Sequence, residues 1–589
     1  MSALQVRLAS LAAILAIAAA PFVVSPFTVT LLDFIGVNAL VAIGLVLLTG
    51  IGGLVSFGQA AFVGIAAYAT AWATTTGGLS PWLGLVLAVV ITCAVAAVLG
   101  LVTLRLKGHF LSLSTIAWGL AIAFCFGNID GLGNFNGISQ IPPISLGGWS
   151  LVASQHMYYL IWFVVIAALV LGANLLDSRM GRAMRALRGG NLLVESFGVN
   201  AFRIRLVLFV LAALLAALSG WLYAHLTRYV SPAPFDAGMS IEYLMMAMVG
   251  GATSLVGGVV GAALVSVLKN SIQDYLPLIA KGASGQLEVV VFSALFIIFL
   301  QHARNGIVPY LTRFLPARLP PPPAEAPRLK RRAQPAAGTL LLEVKDAQRR
   351  FGGLIAVKDL CFEVRAGEIL GLIGPNGAGK STTFNLLTGA LAPSSGSIRF
   401  EGRDTTREPQ FKLARAGIAR TFQHVKLRPN MSVLENVMLG TYWRLSAGLL
   451  RGALRLDRAE EASARREAMV QLERVGLAGR ANDRAGNLPL GAQRVLEIAR
   501  ALAADPVMLV LDEPAAGLRK REKDELAALL RTLRAEGLTI LLVEHDMDFV
   551  MNLVDRVVVM DFGAKLCEGT PAVVRDDARV QEAYLGGVA

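Results

Sequence analysis

The sequence predicts two parts of different class: an N-terminal polytopic α-helical membrane domain and a C-terminal α/β domain that binds a nucleotide. Apolar blocks long enough to cross a bilayer fill the chain up to residue 302. From Leu340 onward the chain is charged like an ordinary soluble domain. Residues 374–382 read G-P-N-G-A-G-K-S-T, a glycine-rich phosphate loop. These observations divide the chain into a transmembrane domain, a linker and a nucleotide-binding domain over residues 1–315, 316–338 and 339–589.

Composition narrows the class of protein. The 589 residues are too many for one hydrophobic core. Hydrophobic residues make up 55% of the chain and charged residues 16%, which is far from the average composition of soluble proteins. The net charge of +13 does not indicate a nucleic-acid partner, because many cations flank apolar blocks or lie in the linker, where cytoplasmic loops and anionic lipid account for them. The four cysteines have no C-x-x-C spacing, so the sequence predicts neither a disulfide framework nor a zinc site.

About nine apolar blocks of spanning length precede the linker. Their continuous apolar character, without a polar face, disfavours a soluble domain of buried helices. A cleaved signal peptide is an alternative for the first block, but the blocks that follow favour a first span or signal anchor. The blocks lie near residues 8–24, 28–49, 53–76, 82–104, 110–127, 157–176, 205–226, 241–268 and 286–302.

The cations between the blocks predict the orientation. Arg105 and Lys107 mark one loop, and six arginines between Arg179 and Arg205 mark another. With Arg7 inside and one crossing per block, both loops fall on the cytoplasmic side, as the positive-inside rule requires. An odd number of crossings would leave the nucleotide domain outside, away from ATP, so one block must be irregular.

The glycine-rich block 241–268 is the candidate for that irregularity. We expect it to break near Gly250-Gly251 and either to re-enter the membrane or to form two crossings. The region Gly50–Gly53 is a second candidate for a break. Paired glycine-interrupted segments are typical of a transport path, although close helix packing through small residues explains the glycines equally well.

The linker is rich in proline and arginine. Four consecutive prolines, Pro320 to Pro323, and cations such as Arg331 and Arg332 indicate a semi-extended, solvated tether. The alternative is that its cations lie on the anionic inner leaflet.

Short apolar runs alternate with helix-like runs beyond Leu340, which is the pattern of an α/β sheet covered by helices. The helix after the phosphate loop is expected over Thr382–Leu391. The expected strands are Leu341–Val344, Cys361–Val364, Glu368–Ile373, Val507–Leu511 and Thr539–Val543.

The phosphate loop predicts how ATP is held. Its backbone N–H groups surround phosphate oxygens, Lys380 reaches the β- and γ-phosphates, and Ser381 holds Mg²⁺. A buried-strand run ends in Asp512-Glu513, which predicts a second Mg²⁺ ligand at Asp512 and a general base for the attacking water at Glu513. The loop residues expected to bind ATP are Gly374, Pro375, Asn376, Gly377, Ala378, Gly379, Lys380, Ser381 and Thr382.

Three further segments, in their order and spacing, resemble the ATP-binding cassette (ABC) domain. They are Thr421-Phe422-Gln423, Leu488-Pro489-Leu490-Gly491-Ala492-Gln493-Arg494 and Val543-Glu544-His545-Asp546.

The resemblance assigns roles to residues of these segments. It implies that Gln423 contacts Mg²⁺ and the attacking water, that His545 touches the γ-phosphate and that Phe351 stacks on adenine. It also implies a head-to-tail dimer in which the signature segment, here with Gly491 and Gln493, binds the nucleotide of the partner domain.

This sequence departs from the usual family pattern at the signature segment. Pro489 and Leu490 replace the usual serine and first glycine, so the serine contact with phosphate is absent. Arg519 and Lys520 follow where relatives usually have Asn-Pro. A weakened second ATP site in an asymmetric dimer is therefore an open alternative.

Both halves resemble one branch of the ABC family, the bacterial importers of branched-chain amino acids. The ATP-binding subunit is matched at 351–357, 496–502 and 512–518, and the permease at 52–62, 178–188 and 248–251. The chain is thus similar to a fusion of a type II-like permease with its ATPase.

This resemblance implies ATP-driven uptake of branched-chain or other hydrophobic amino acids, or related small solutes. It implies a multi-pass protein of the bacterial inner membrane with a cytoplasmic ATPase domain, and no nucleic-acid partner. The implied protein partners are a second permease and a second ATPase subunit, or another copy of this chain, and an extracytoplasmic solute-binding protein. The segment 178–203 is then the coupling region that docks into the ATPase beside Gln423, unless it is only a positive-inside loop.

Two other functions fit the sequence less well. An ABC exporter also joins a membrane domain to a cassette, but exporters usually have six long spans with extended cytoplasmic helices. A non-transporting, membrane-anchored ATPase is the other alternative, because the signature residues are unusual. The sequence leaves open the exact solute, the choice between homodimer and heterodimer, and the exact number of crossings.

Overall fold

The computed structural model describes residues 3–106, 108–279, 285–303, 306–312 and 326–585. The chain divides into two compact units, one made of Met1–Asp177 with Phe202–Ala317, the other of Ser178–Ala201 with Arg318–Ala589. The segment Ser178–Ala201, which the sequence places between two apolar blocks, therefore belongs to the same compact unit as the nucleotide-binding domain.

The first unit is helical, which confirms the polytopic α-helical prediction. Among the described residues, six helices are long and apolar enough to cross a membrane: Pro26–Ile51, Pro81–Thr103, His109–Asn128, Ser154–Asp177, Ala201–Thr227 and Leu255–Leu276. The helices up to residue 312 are α1 (Ala3–Val23), α2 (Pro26–Leu45), α3 (Gln59–Thr75), α4 (Pro81–Thr103), α5 (His109–Asn128), α6 (Ser154–Asp177), α7 (Arg179–Ala186), α8 (Asn191–Glu195), α9 (Ala201–Thr227), α10 (Ala237–Gly250), α11 (Leu255–Ile279), α12 (Gly285–His302) and α13 (Ile307–Thr312). Of these, α7 and α8 belong to the second unit.

The block 241–268 is broken where the glycines predict. Helix α10 ends at Gly250, Gly251 has φ +122°, and α11 begins at Leu255. The two helices then pack against each other with their backbones in direct contact at glycine residues. A Cβ on Gly250 would lie 1.6 Å from the Gly257 carbonyl oxygen, and one on Gly261 would lie 1.8 Å from that of Met246. The break gives a helical hairpin, which is compatible with both expected alternatives, a re-entrant element and two crossings.

The second predicted break is also present. Helix α2 continues as a π-helical turn, Val46–Ile51, and α3 begins only at Gln59, so residues 53–58 of the block 53–76 are not helical. A Cβ on Gly50 would lie 1.4 Å from the carbonyl oxygen of Ala252. The two broken elements therefore meet at their breaks, where only glycine lets the backbones approach this closely.

A small strand pair joins two loops of this unit. The strands β1 (Ile138–Ser139) and β4 (Tyr229–Val230) pair antiparallel, and β2 (Ser145–Leu146) pairs with β3 (Trp149–Ser150). The loop after α5 and the segment after α9 thus lie at the same end of the helices, as the predicted orientation requires.

The second unit is an α/β domain, as predicted. A six-stranded sheet has the order β10-β11-β12-β7-β13-β14, parallel except for β14, and a four-stranded antiparallel sheet has the order β6-β5-β8-β9. Its strands are β5 (Leu340–Phe351), β6 (Leu354–Arg365), β7 (Ile369–Ile373), β8 (Ser395–Phe400), β9 (Arg403–Asp404), β10 (Ile418–Arg420), β11 (Met508–Asp512), β12 (Thr539–Val543), β13 (Arg556–Asp561) and β14 (Ala564–Gly569). Its helices are α14 (Lys380–Leu387), α15 (Gln410–Ala416), α16 (Val433–Gly440), α17 (Leu449–Ala453), α18 (Arg458–Arg474), α19 (Leu490–Leu502), α20 (Lys520–Ala535), α21 (Met547–Met551), α22 (Pro571–Asp576) and α23 (Ala578–Leu585).

The predicted strands overlap the observed ones, whereas the predicted helix Thr382–Leu391 is displaced. Helix α14 begins earlier, at Lys380, because Gly379 immediately before it has φ +93°. It ends earlier because Gly389 has φ +69° and the N–H of Ala390 turns back to the carbonyl of Asn385.

The end of the linker contradicts the expectation of a solvated tether for the residues that the structure describes there, 326–338. The backbone N–H of Arg332 donates to the carboxylate of Asp505, and its guanidinium donates to the carbonyls of Ala416 and Arg415. The same guanidinium stacks on Trp443 at 4.8 Å from the ring centroid. This part of the linker is therefore docked on the nucleotide-binding domain.

We expect that adding a methyl group at the hairpin contact lowers the temperature at which the first unit unfolds. Gly250→Ala places a Cβ against backbone that has no side chain to move, and overpacking of this kind costs about 1–3 kcal/mol or more. Heating the purified variant in detergent and measuring the monodisperse fraction by size exclusion tests this. Gly131→Ala is the matched control, because nothing lies within 4 Å of its Cβ. Equal heat resistance of both variants and the unmodified chain would contradict the packing argument.

Candidate nucleotide site

The phosphate loop connects a buried strand to a helix. All residues of β7 are buried, and the loop leaves this strand at Gly374 with φ +154°. A Cβ on Gly374 would lie 2.2 Å from the Met560 carbonyl oxygen, and one on Gly379 would lie 2.4 Å from that of Ala356. Glycine is therefore required at both positions, and the loop's exposed rim is formed by residues such as Asn376 and Gly377.

Lys380 is folded back over this loop. Its ammonium donates to the carbonyl oxygens of Gly374 at 2.7 Å and Pro375 at 2.9 Å. Burial lowers the pKa of Lys380, against the opposing effect of the Glu513 and Asp512 carboxylates. Ser381, in the first helical turn, is exposed, so the lysine and serine positions of the motif face the loop and the solvent respectively.

Sheet register brings the distant motifs to one edge. In the parallel strands, Asp512 of β11 pairs with Val543 of β12, and Val543 pairs with Leu372 of β7. The carboxyl ends of these three neighbouring strands therefore share an edge of the sheet. The carboxylates after β11, the residues after β12 and the phosphate loop meet there, as in other open α/β sheets.

One carboxylate oxygen of Asp512 is available to coordinate a metal ion. The residue is 7% exposed, and its Oδ1 has no hydrogen-bond partner among the described residues. Burial raises the pKa of Asp512 to about 6, although Arg420 opposes this shift. A buried carboxylate oxygen without a partner is costly, and hard cations such as Mg²⁺ prefer oxygen ligands of this kind. The donor set therefore fits a magnesium ion.

Glu513 and His545 are brought together. The Glu513 carboxylate lies 3.6 Å from Nδ1 of His545, whose side chain is 56% exposed. Glu513 has φ +47°, a region that non-glycine residues rarely adopt, and its N–H donates to the Val543 carbonyl at 2.8 Å. The hydrogen bond to β12 therefore holds the strained backbone in place, and this backbone conformation sets the direction in which the Glu513 side chain leaves the chain.

Glu544 is a site residue to which the sequence analysis assigns no role. It is fully buried, and its two carboxylate oxygens accept from the N–H of Ala515 at 2.7 Å and of His545 at 3.1 Å. Burial raises the pKa of Glu544, while these backbone donors oppose the shift. Its position at the end of a buried strand, like that of Asp512, is the signal that could have identified it. The carboxylate ties the loop after Glu513 to the loop that carries His545.

The residues just before Gln423 are buried and packed against the rest of the second unit. Phe422 is buried, and its carbonyl accepts from the Arg494 guanidinium at 3.0 Å. The Arg420 guanidinium lies between the rings of Phe384 and Phe422, at 4.5 and 4.9 Å from their centroids. Gln423 itself is exposed, and within the described part of the chain no hydrogen bond joins it to Asp512. The structure thus places Gln423 in the loop after β10, without direct contact to the Asp512 carboxylate.

The residues assigned to adenine and to the partner's nucleotide lie on the surface. Phe351, at the end of β5, is 43% exposed, and the Arg349 guanidinium covers its ring at 4.7 Å. In the signature segment, Pro489 precedes α19 and the Gln493 amide donates to the Leu488 carbonyl at 2.8 Å. A Cβ on Gly491 would lie 2.5 Å from Oε1 of Glu522, so this glycine lets α19 start against α20. The first turn of α19 leaves backbone N–H groups that suit a phosphate.

Family comparisons identify both halves of the chain. Residues 27–300 match the model described as the branched-chain amino acid transport system permease component. Residues 357–516 match the ABC transporter model, and residues 564–589 match the branched-chain amino acid ATP-binding cassette transporter model.

Curated relatives and solved structures cover the C-terminal half. The high-affinity branched-chain amino acid transport ATP-binding protein LivG of Salmonella typhimurium is 46% identical over 249 residues, which are 42% of this chain and 98% of that protein. The corresponding protein BraF of Pseudomonas aeruginosa is 45% identical over the same shares. A solved nucleotide-free ATP-binding cassette of an ABC transporter is 32% identical with a TM-score of 0.38, covering 42% of this chain and 99% of that one.

Glu513→Gln is expected to lower the rate of ATP hydrolysis by at least about 100-fold while ATP still binds, because an amide cannot take the proton of the attacking water. Phosphate release and binding of a fluorescent ATP analogue, measured on the same preparation, test this. Glu525→Gln is the matched control, since that carboxylate is 64% exposed and pairs with Arg521. Turnover that survives in the Glu513 variant would remove this residue from the role of base.

Proposed function

The chain belongs to the branched-chain amino acid family of ABC transporters and joins its permease and its ATPase in one polypeptide, and from this premise we propose how it works. It is an amino acid importer subunit in which ATP hydrolysis is coupled to transport. We propose that the solutes are branched-chain or other hydrophobic amino acids. The observation that carries the coupling proposal is the grouping of a loop between two membrane helices with the ATP-hydrolysing unit.

Hydrolysis is assigned to the residues at the sheet edge. The phosphate loop and Lys380 bind the phosphates, and Glu513 accepts the proton of the attacking water while Glu544 holds its loop in place. His545, 3.6 Å from Glu513, contacts the γ-phosphate. Ser381, Gln423 and Asp512 would hold a magnesium ion, which supplies positive charge beside the phosphates when bound.

The coupling segment, defined here as Ser178–Ala201, is held on the ATPase first by Arg182. The Arg182 guanidinium donates to both carboxylate oxygens of Glu461, at 2.6 and 3.0 Å. Arg182 is 3% and Glu461 14% exposed in this pair. A buried two-pronged ion pair is specific in geometry, and losing one partner leaves an uncompensated charge.

A second ion pair ties the segment to a helix start. Arg185 donates to Glu435 at 2.8 Å, and Glu435 also accepts from the N–H of Ser432 in the capping box of α16. Burial raises the pKa of Glu435, but Arg185 and the Ser432 N–H outweigh it, so the net pKa is lowered and the carboxylate is charged at neutral pH. The same side chain therefore caps α16 and receives the coupling segment.

The rest of the segment lies against α15 and the loop after Gln423. The Gln410 amide donates to the Leu192 carbonyl at 3.2 Å, and Arg415 donates to that of Gly198 at 2.8 Å. A Cβ on Gly189 would lie 3.6 Å from the Arg428 side chain, in the loop that follows Gln423. A positive-inside loop without a coupling role explains the arginines but not this continuous docking.

We assign the remaining partners from the family. A second permease and a second ATPase, or another copy of this chain, complete a head-to-tail pair of cassettes, and an extracytoplasmic solute-binding protein delivers the solute. The membrane is the bacterial inner membrane, with the ATPase on the cytoplasmic side. This orientation puts the coupling segment and the ATPase in one compartment, as their contacts demand.

Reversing one charge of the coupling segment is expected to separate hydrolysis from transport. Arg182→Glu should lower solute uptake at least about tenfold while ATP hydrolysis continues, because breaking a buried ion pair costs about 3–5 kcal/mol. Adding Glu461→Arg should restore a large part of the uptake. The ratio of solute moved to ATP hydrolysed measures the effect, and the exposed pair Arg521→Glu with Glu525→Arg is the control. Unchanged uptake in the single variant would exclude coupling through this contact.

Reconstitution tests the function as a whole. Proteoliposomes with the complete assembly and its solute-binding protein should accumulate radiolabelled leucine when ATP is on the side of the cassettes. Accumulation should require the solute-binding protein and fail with Glu513→Gln. Movement of solute away from the ATP side would indicate an exporter, and hydrolysis without any solute movement would indicate a non-transporting ATPase.

A further inference from the structure

A cavity of about 340 Å³ lies in the membrane unit, between α10, α11 and α12. This volume is at the lower end of the range for small-molecule sites. Its walls are mostly apolar, with Ile241, Met245, Ile272 and Phe292 contributing. The cavity therefore has the size and lining expected around a small apolar solute.

One ion pair stands in this apolar cavity. Glu242 of α10 accepts from the ammonium of Lys269 of α11 at 2.7 Å, and their side chains are 16% and 47% exposed. Charged residues in membrane helices are costly, and those that occur commonly mark a solute path or binding site. This pair joins the two arms of the hairpin, in a block that the sequence shows as apolar.

Both charged groups have capacity left. Within the described part of the chain, one carboxylate oxygen of Glu242 and one N–H of Lys269 form the bond, so the second oxygen and two ammonium protons can take other partners. A solute ammonium can pair with the carboxylate while a solute carboxylate pairs with the ammonium. Because the pair is neutral, a zwitterion keeps the site neutral, whereas a single cation or anion would leave an unpaired charge in an apolar setting.

We propose that this cavity binds a zwitterionic amino acid with an apolar side chain, with its ammonium on Glu242, its carboxylate on Lys269 and its side chain against the apolar walls. The proposal rests on the proposed function and adds the place where the permease meets its solute. Glu242 lies eight residues before Gly250, so the site is about 12 Å along the helix from the hairpin break. The solute would thus be held beside the element whose tip packs against the other broken helix.

Ligand binding to the purified full-length chain in phospholipid-free detergent tests the site. Saturation-transfer NMR is suited to the weak affinity expected of a transit site, and leucine should give a saturable signal. Leucinol, which lacks the carboxylate, and 4-methylpentanoate, which lacks the ammonium, should give less than a tenth of it. Equal signals from all three would overturn the proposal, and so would absence of leucine binding. Equal competition by phosphoethanolamine would reassign the cavity to a lipid headgroup.

Variants assign the binding to the pair. Glu242→Gln and Lys269→Met should each lower the leucine signal at least about tenfold. The matched control is the pair Glu343 and Lys345 of the second unit, replaced in the same way, which should leave it unchanged. An unchanged monodisperse fraction on size exclusion in detergent shows that the first unit of each variant is folded, and wild-type binding by either cavity variant would overturn the assignment.

Transport separates this proposal from the proposed function. If the unmodified assembly accumulates leucine and the cavity variants accumulate it equally, only the site is wrong. If the unmodified assembly accumulates nothing while hydrolysing ATP, the importer function itself is wrong. A loss of uptake confined to the cavity variants supports both.

Discussion

Two ion pairs, the largely buried Arg182 with Glu461 and the half-buried Arg185 with Glu435, hold the coupling segment on the ATPase. The coupling segment is short, and its sequence neighbours on both sides are membrane helices. Arg182 is 3% exposed, and a charge removed from water in this way is stable only with its partner in place, so loss of Glu461 would destabilise this docking. Because Glu435 also caps α16, a change in the position of that helix is transmitted directly to Arg185.

The membrane unit depends on a different constraint, the absence of side chains where backbones touch. Gly50, Gly250 and Gly261 each face a carbonyl oxygen at a distance that excludes a Cβ. Non-helical backbone inside a bilayer is tolerated only where it is buried in protein or lines a cavity. Each break buries the non-helical backbone of the other. The Glu242–Lys269 pair lies away from this contact, between the two helices of the hairpin.

The sequence predicted what local patterns encode. The phosphate loop, the strands β7 and β12 and the break at Gly250 all follow from residue types at fixed spacing, and the structure has them. It did not predict contacts between distant residues, such as Glu544 with the N–H of Ala515 or Arg182 with Glu461. It was wrong about the described part of the linker, because a Pro- and Arg-rich composition is the same for a solvated tether and for a strap whose Arg332 stacks on Trp443.

That strap has a consequence for assembly. Arg332 donates to the carbonyl of Arg415, and Arg415 in turn donates to Gly198 at the end of the coupling segment. The linker and the coupling segment thus both contact Arg415. Because the permease and the ATPase are covalently connected, the effective concentration of the ATPase at the coupling segment is set by the length and path of the linker and not by expression level. Separate subunits must find each other and can be exchanged between systems. A fused chain of this kind carries one permease domain and one ATPase domain in a fixed one-to-one ratio.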